Sequence, residues 1–252
     1  MDEALLTRVE DAGLNASAAP EQRWMDGWLV RYSTGKARRA RCINAVAAGR
    51  LPLADKLQRC EALYREAGLP LVFRITPFSQ PPGLDAELGA LGLAALDDTR
   101  VMVNLALPAG PAPALPPNTR WIPLPAPAFA EAVGRLRGSS ESQRLAHARR
   151  LAASPVPCQG FAIERDDEIL ACGQFALEAE LAGLYDVFTR DRERGKGWAR
   201  LLCQRLLSLA ANQGARVGYL QVEADNAPAR RVYARLGFVD GYAYHYRQRP
   251  DA

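Results

Sequence analysis

Histidine is scarce in this chain of 252 residues, where His147 and His245 are the only two. That excludes a His-Glu-x-x-His zinc helix, and no sequence pattern marks a Ser-His-Asp triad around either histidine. Each histidine stands alone, one in a helical pattern and one in a terminal strand, which reads as surface or core. Cysteine is also sparse. Cys42, Cys60, Cys158, Cys172 and Cys203 are odd in number, widely spread and without a Cys-x-x-Cys pair. A disulfide framework and a zinc site are both excluded, and a reducing compartment is expected. No apolar run approaches bilayer length, and the amino-terminal segment is polar with a helical pattern rather than a leader. The expectation is a cytoplasmic protein with no membrane partner. Charge of one sign is lacking too: 32 Lys and Arg against 28 Asp and Glu leave +4. A nucleic-acid-binding domain is usually far more basic, so no nucleic acid is expected, and an anionic small molecule suits the balance better.

Hydrophobic residues, at 48% of the chain, are ample for a buried core. The most informative stretch is 184–202, LYDVFTRDRERGKGWARLL. It opens as an apolar strand, turns through a charged loop and enters a helix with Gly195 and Gly197 in its first turn. Unpaired amides at a helix start carry partial positive charge, and Arg192, Arg194 and Lys196 add formal charge there. The segment reads as a pyrophosphate clamp. It is not a Walker loop, since Lys196 is followed by Gly197 with no Ser or Thr for magnesium. Nor is it a dinucleotide fingerprint, which needs a third glycine and a preceding parallel strand.

Arg194, Gly197 and Ala199 fit the Arg/Gln-x-x-Gly-x-Gly/Ala pattern, and the segment resembles the acyl-CoA loop of the GNAT superfamily of N-acetyltransferases. A second register, Arg192, Gly195 and Gly197, also fits; the first is preferred because it turns Trp198, Leu201 and Leu202 inward. Downstream, Asn226, Ala229, Tyr233, Gly237 and Phe238 match the superfamily's Asn-x-x-Ala-x-x-x-Tyr-x-x-x-Gly-Phe segment. The physical pattern agrees: Asn226 is a helix cap, Pro228 suits a first turn, and Gly237 can end the helix at positive φ.

The resemblance implies an acetyl-CoA-dependent N-acetyltransferase acting by direct transfer in a ternary complex. It implies acetyl-CoA contacts at Val187, Phe188, Thr189, Arg192, Arg194, Gly195, Lys196, Gly197, Trp198, Ala199, Asn226 and Tyr233, the first three through the backbone of a splayed strand. Thr189 replaces the commoner Val. Trp198 replaces Ile or Leu, as a core anchor or as a lid beside the cofactor. Tyr233 would protonate the departing thiolate or else be a packed aromatic, and Glu223 is the expected general base, with Asp186 and Glu178 as rivals. No metal is expected. The acceptor is a small-molecule amine or an amine on a protein. The alternative is a catalytically silent acyl-CoA sensor or scaffold.

The implied fold is α/β with a mixed sheet, as two GNAT-like units in tandem. The first half reads as a helix (3–13), a strand pair across Gly35 (28–32 and 41–47), a helix (52–67), a strand (71–75), a helix (84–91) and a strand (100–107). The basic cluster 36–41 looks like a solvated hairpin turn. Gly68 and Gly214, and Leu91-Gly92-Leu93 and Leu236-Gly237-Phe238, recur at nearly constant offset, which suggests an internal duplication. In the first half 47–52 takes the place of the clamp, with one glycine and a proline, so that half is expected to be degenerate. The Pro-rich stretch 108–118 is the expected linker between domains 1–107 and 119–252. A monomer that is a pseudo-dimer by duplication, or a homodimer, is expected.

Overall fold

The computed structural model describes residues 1–33, 37–107 and 110–249. Thr34, Gly35, Lys36 and Pro108, parts of the expected turn and linker, lie outside the described residues. Two compact units emerge, each discontinuous in sequence: Met1–Ala16 with Val101–Gly241, and Ser17–Arg100 with Tyr242–Ala252. The units therefore interleave along the chain and differ from a single cut at 108–118.

The first unit begins with helix α1 (Glu3–Ala16). The expected stop at Gly13 does not occur. A Cβ there would come within 3.2 Å of the Gln221 side chain, so Gly13 permits a close approach rather than a turn. The remaining elements are β6 (Arg120–Leu124), α4 (Ala126–Leu136), α5 (Glu141–Ala152), β7 (Cys158–Arg165), β8 (Glu168–Glu178), β9 (Leu181–Thr189), α6 (Trp198–Asn212), β10 (Val217–Glu223) and α7 (Ala227–Arg235). With residues 101–104 of β5 (Ala94–Asn104), the strand order is β5-β10-β9-β8-β7-β6. Strands β6 to β9 are antiparallel, whereas β10 runs parallel to β9 across the α6 crossover. Helix α6 packs its apolar face (Leu202, Cys203, Leu206, Leu207, Ala210) into a core with Ile163, Phe175, Leu184 and Leu220. The side chains of Phe129 and Val133 on α4 bury against Ala162 and Cys172. Ser140 and Gln143 form a reciprocal capping box that starts α5 after the Gly138 break.

The second unit contains β1 (Gln22–Met25), β2 (Trp28–Arg31), β3 (Ile43–Asn44), α2 (Leu53–Glu66), β4 (Val72–Ile75), α3 (Leu84–Ala90) and residues 242–248 of β11 (Val239–Gln248), with strand order β1-β2-β3-β4-β11. The predicted pairing of β2 with the strand after Gly35 is present, although β3 is short. The β1–β2 hairpin was not foreseen. Its turn is Asp26-Gly27, both at positive φ, the chemistry a two-residue hairpin demands. Arg38–Ala40, within the basic cluster, forms a 3₁₀ turn, and Arg38 pairs with Asp97 at 2.6 Å. Strand β5 begins six residues earlier than expected, at Ala94, and stops at Asn104. The core joins Trp28, Ile43, Cys60, Tyr64, Phe73 and Leu88.

The loop 47–52 is closed on itself. The Asp26 carboxylate accepts from the amides of Arg50 (2.9 Å) and Leu51 (2.8 Å). Buried Lys56 donates to the carbonyls of Asp26 and Ala48, both at 2.8 Å, and sits 4.0 Å from the centre of the Trp28 ring. The Leu51 and Arg50 amides, then Lys56, hold the Asp26 carboxyl below its usual range. A lowered folded-state pKa stabilises the fold fully above the unfolded value of about 3.9. That contribution disappears as pH falls through the folded value. In Asp26→Asn, the urea midpoint should therefore lose part of its fall below pH of about 4. An unchanged acid limb would show that Asp26 carries no such linkage.

Candidate functional site

The parallel ladder of β9 and β10 ends at Leu184↔Leu220, yet β9 runs on to Thr189 and β10 to Glu223. A bulge explains the parting. Asp186 and Val187 of β9 together face Gly173 of β8, between the pairs Cys172↔Phe188 and Gln174↔Tyr185. Asp186 takes positive φ, 52°. The space opened beyond Leu184 is a cleft of about 620 Å³. One wall is Val187, Phe188 and Thr189, the floor is the loop from Glu193 to Gly197 with the first turn of α6, and the other wall is Asn226 and the face of α7.

The floor is built around its glycines. Both lie ahead of α6 rather than in its first turn. Gly195 has φ 78° and Gly197, the cap residue, has φ 87°, so each must leave the helical region before Trp198 begins it. No atom lies within 4 Å of a Cβ built on either, so no side chain covers the backbone at these two positions. Below them Glu193, 6% exposed, ties the loop down. It accepts from Trp198 Nε1 at 3.0 Å and Lys196 Nζ at 3.1 Å. Lys196 and then Trp198 hold its carboxyl below the ordinary carboxylate range. Trp198 is therefore a core anchor, buried with Leu202 and Val222, whose indole N–H also fixes the loop.

Opposite, Asn226 accepts from the Ala229 amide at 3.2 Å and so starts α7, with Pro228 in the first turn. Gly237 (φ 88°) ends it as expected. Ala229 and Tyr233 lie on one face against the main core, and Tyr233 meets Phe238 edge-on at 6.1 Å. Burial pushes the Tyr233 phenol well up, so it keeps its proton at neutral pH.

Of the residues singled out by sequence, the cleft gathers Val187, Phe188, Thr189, Arg194, Gly195, Gly197, Trp198, Ala199, Asn226 and Tyr233. Three lie outside its lining. Arg192 is bound to Glu168, Lys196 turns to Glu193, and Glu223 is exposed at the end of β10. The two rival carboxylates also lie outside the lining: Glu178 accepts from Asn15 at 2.9 Å, and Asp186 accepts from Arg137 at 2.8 Å. Glu193, Arg200, Arg231 and Arg235 line the cleft and were missed. The three arginines recur near the two motifs but match neither pattern, so only assembly of the helices reveals them. Among the described residues they make no ion pair, whereas Arg194 pairs with Asp191 at 2.7 Å.

An acyl-CoA fits this donor set. Uncovered glycine backbone lies beside guanidinium groups, which suits a pyrophosphate. The Thr189 hydroxyl is buried behind the wall without a hydrogen-bond partner. Among the described residues no group of His, Cys, Asp and Glu could hold a metal ion, and no helix is long and apolar enough to cross a membrane.

Residues 126–238 match the family model described as Acetyltransferase (GNAT) family. The uncharacterized N-acetyltransferase YobR of Bacillus subtilis (strain 168) is 28% identical over 247 residues, which cover 96% of this chain and 98% of that protein. A GCN5-related N-acetyltransferase from Kribbella flavida has the same fold, with TM-score 0.68 at 16% identity over 97% of this chain and 95% of its own. A tandem GNAT protein from the clavulanic acid biosynthesis pathway gives TM-score 0.61 at 16% identity over 79% of this chain and 70% of its own.

Proposed function

Since residues 126–238 belong to the acetyltransferase (GNAT) family, we propose that this chain transfers an acetyl group from acetyl-CoA to a primary amine by direct attack in a ternary complex. The observation that carries the reading is the cleft itself, where two uncovered glycines, four arginines and the splayed end of β9 converge. Acetyl-CoA supplies an activated acyl carbon and a thiolate leaving group. The chain's part is to hold it and to manage protons.

In this reading Gly195, Gly197 and Arg194 seat the pyrophosphate, with Arg200, Arg231 and Arg235 adding positive potential. The backbone of Val187, Phe188 and Thr189 orients the acyl arm. Tyr233, which keeps its proton, donates to the leaving sulfur. Arg192 and Lys196 act at longer range, since both are engaged by carboxylates. The second unit is read as a copy that has lost this chemistry. Its β3–α2–β4 crossover is parallel like β9–α6–β10, and Gly92 and Gly237 both stand at positive φ.

The test is release of CoA thiol from acetyl-CoA by the purified chain across a panel of primary amines. Thiol release that depends on an amine supports the reading, and binding without release by any amine leaves the sensor alternative. Tyr233→Phe should lower turnover about a hundredfold with acetyl-CoA affinity nearly unchanged. Unaltered turnover would remove Tyr233 from the mechanism.

A further inference from the structure

The bulge that opens the cleft also gathers a second polar cluster. Asp186 Oδ1 accepts from the Arg137 guanidinium at 2.8 Å, just beyond α4, and Oδ2 accepts from Gln174 Nε2 of β8 at 2.8 Å. His147 of α5 brings Nε2 to 3.2 Å from the same Oδ2. That approach lies off the line of a hydrogen bond, as resting catalytic contacts often do, and it leaves Nε2 buried beside the Asp186 carboxylate. The imidazole is 12% exposed, and its Nδ1 has no partner among the described residues.

The cluster adjoins the cleft across Phe188, although Asp186, His147 and Arg137 themselves stand behind its lining. Val187 turns toward α6, where its side chain lies against a Cβ built at Gly173. Asp186, by its contacts with Arg137 and His147, and Phe188, by its packing with Phe129 and Val133, both lie toward the α4 and α5 side. Phe188 forms part of the cleft wall and packs with the α4 core, two residues or about 7 Å along the strand from Asp186. Guanidinium groups of Arg137 and Arg194 lie 5.6 and 5.5 Å from its ring, so this aromatic is common to the cluster and the cleft.

Asp186 is a poor base. Burial would raise its pKa, but His147 and Arg137 outweigh burial and hold it well below the carboxylate range. The other groups facing the cluster are Arg150 of α5, Cys158 of β7 and Cys172 of β8. Burial pushes both thiols up to about 12, so neither competes as a thiolate. That leaves Nδ1 of His147, whose lone pair is open in the tautomer that keeps its proton on Nε2, beside Asp186.

We propose that His147, oriented by Asp186, is the base that takes the acceptor amine's proton at Nδ1. The proposal rests on reading the cleft as an acyl-CoA site. One proton of the substrate ammonium passes to Nδ1, freeing the nitrogen lone pair. The nitrogen–carbon bond then forms and the carbon–sulfur bond breaks. The second proton leaves nitrogen and replaces the one Tyr233 gives to sulfur, and His147 returns its proton to solvent. Ammonium and acetyl-CoA thus become amide, CoA thiol and one proton. His147 is the catalytic residue here, and Asp186 is a positioning residue.

The full chain is assayed with acetyl-CoA and two kinds of acceptor: alkyl primary amines, which are ammonium ions at neutral pH, and methoxyamine, which is already unprotonated. His147→Gln should lose between about 10² and 10⁴ of its turnover with the alkylamines. It should also lose the acidic limb of the pH profile. Methoxyamine transfer should fall far less, and acetyl-CoA affinity should stay within about twofold (roughly 0.4 kcal/mol). Asp186→Asn should show the same split more weakly. Retention of the alkylamine rate and its acidic limb in His147→Gln, or equal loss with both acceptors, overturns the proposal. So does wild-type transfer to methoxyamine but to no alkylamine. If wild type binds acetyl-CoA and transfers to neither acceptor, the transferase reading itself falls, before any variant is made.

Discussion

Gly197→Asp should abolish acetyl-CoA binding. The residue caps α6 at φ 87° and lines the cleft, with open space where a Cβ would project. The variant therefore has room for its side chain and fails for two other reasons. A non-glycine residue in this region costs about 1–2 kcal/mol. A carboxylate some 4 Å from a phosphate costs about 4 kcal/mol at an effective dielectric of 20. The first lowers stability, and the second alone amounts to about three decades of affinity, enough to move a micromolar ligand out of calorimetric range. Arg194→Ala in the same chain should deepen the loss. Gly92→Asp separates strain from charge, since Gly92 (φ 85°) also has open space at its Cβ but ends α3 far along the sequence. It should bind acetyl-CoA as wild type does. Titration showing undiminished binding by Gly197→Asp would mean that the pyrophosphate sits elsewhere.

Lys56→Ala should be the most destabilising change in the second unit. Lys56 is 1% exposed, donates to two carbonyls, lies 3.4 Å from the Asp26 carboxylate and covers the Trp28 ring. Removing one member of a buried charge pair typically costs 3–5 kcal/mol, here also stripping two carbonyls of their donor. A loss of about 3 kcal/mol is expected, read as a lower urea midpoint. Lys56→Met, which keeps the buried stem, should lose less. An unchanged midpoint in Lys56→Ala would show that the loop closes without it.

How far the sequence revealed this protein depended on whether a feature was local. The clamp and the α7 cap were legible because each is a run of neighbouring residues whose backbone roles follow from residue type: glycine for positive φ, asparagine for a cap, proline for a first turn. Gly13 shows the limit of that logic. A glycine in a helical pattern reads as a stop, yet this one accommodates Gln221. Asp26-Gly27 carried a hairpin signal in plain view, but the residues flanking it alternate too weakly to announce β1, whose first three positions are exposed. The arrangement at Asp186 was invisible for a different reason. It needs a one-residue bulge, the end of α4 and a middle turn of α5, and no spacing in the sequence encodes their meeting. His147 looked solitary because its partner lies on another element. Glu223 looked well placed because its strand faces the splay of β9, but the strand end carries it clear of the cleft lining.

The Asp26 loop has a consequence for stoichiometry. Its two amides already hold an anion that belongs to the chain, and a tethered carboxylate competes at an effective concentration far above that of any diffusible phosphate ester. The amides of Arg50 and Leu51 are, in that sense, permanently saturated. Despite two parallel crossovers of the same kind, the chain should titrate to one equivalent of acetyl-CoA and not two.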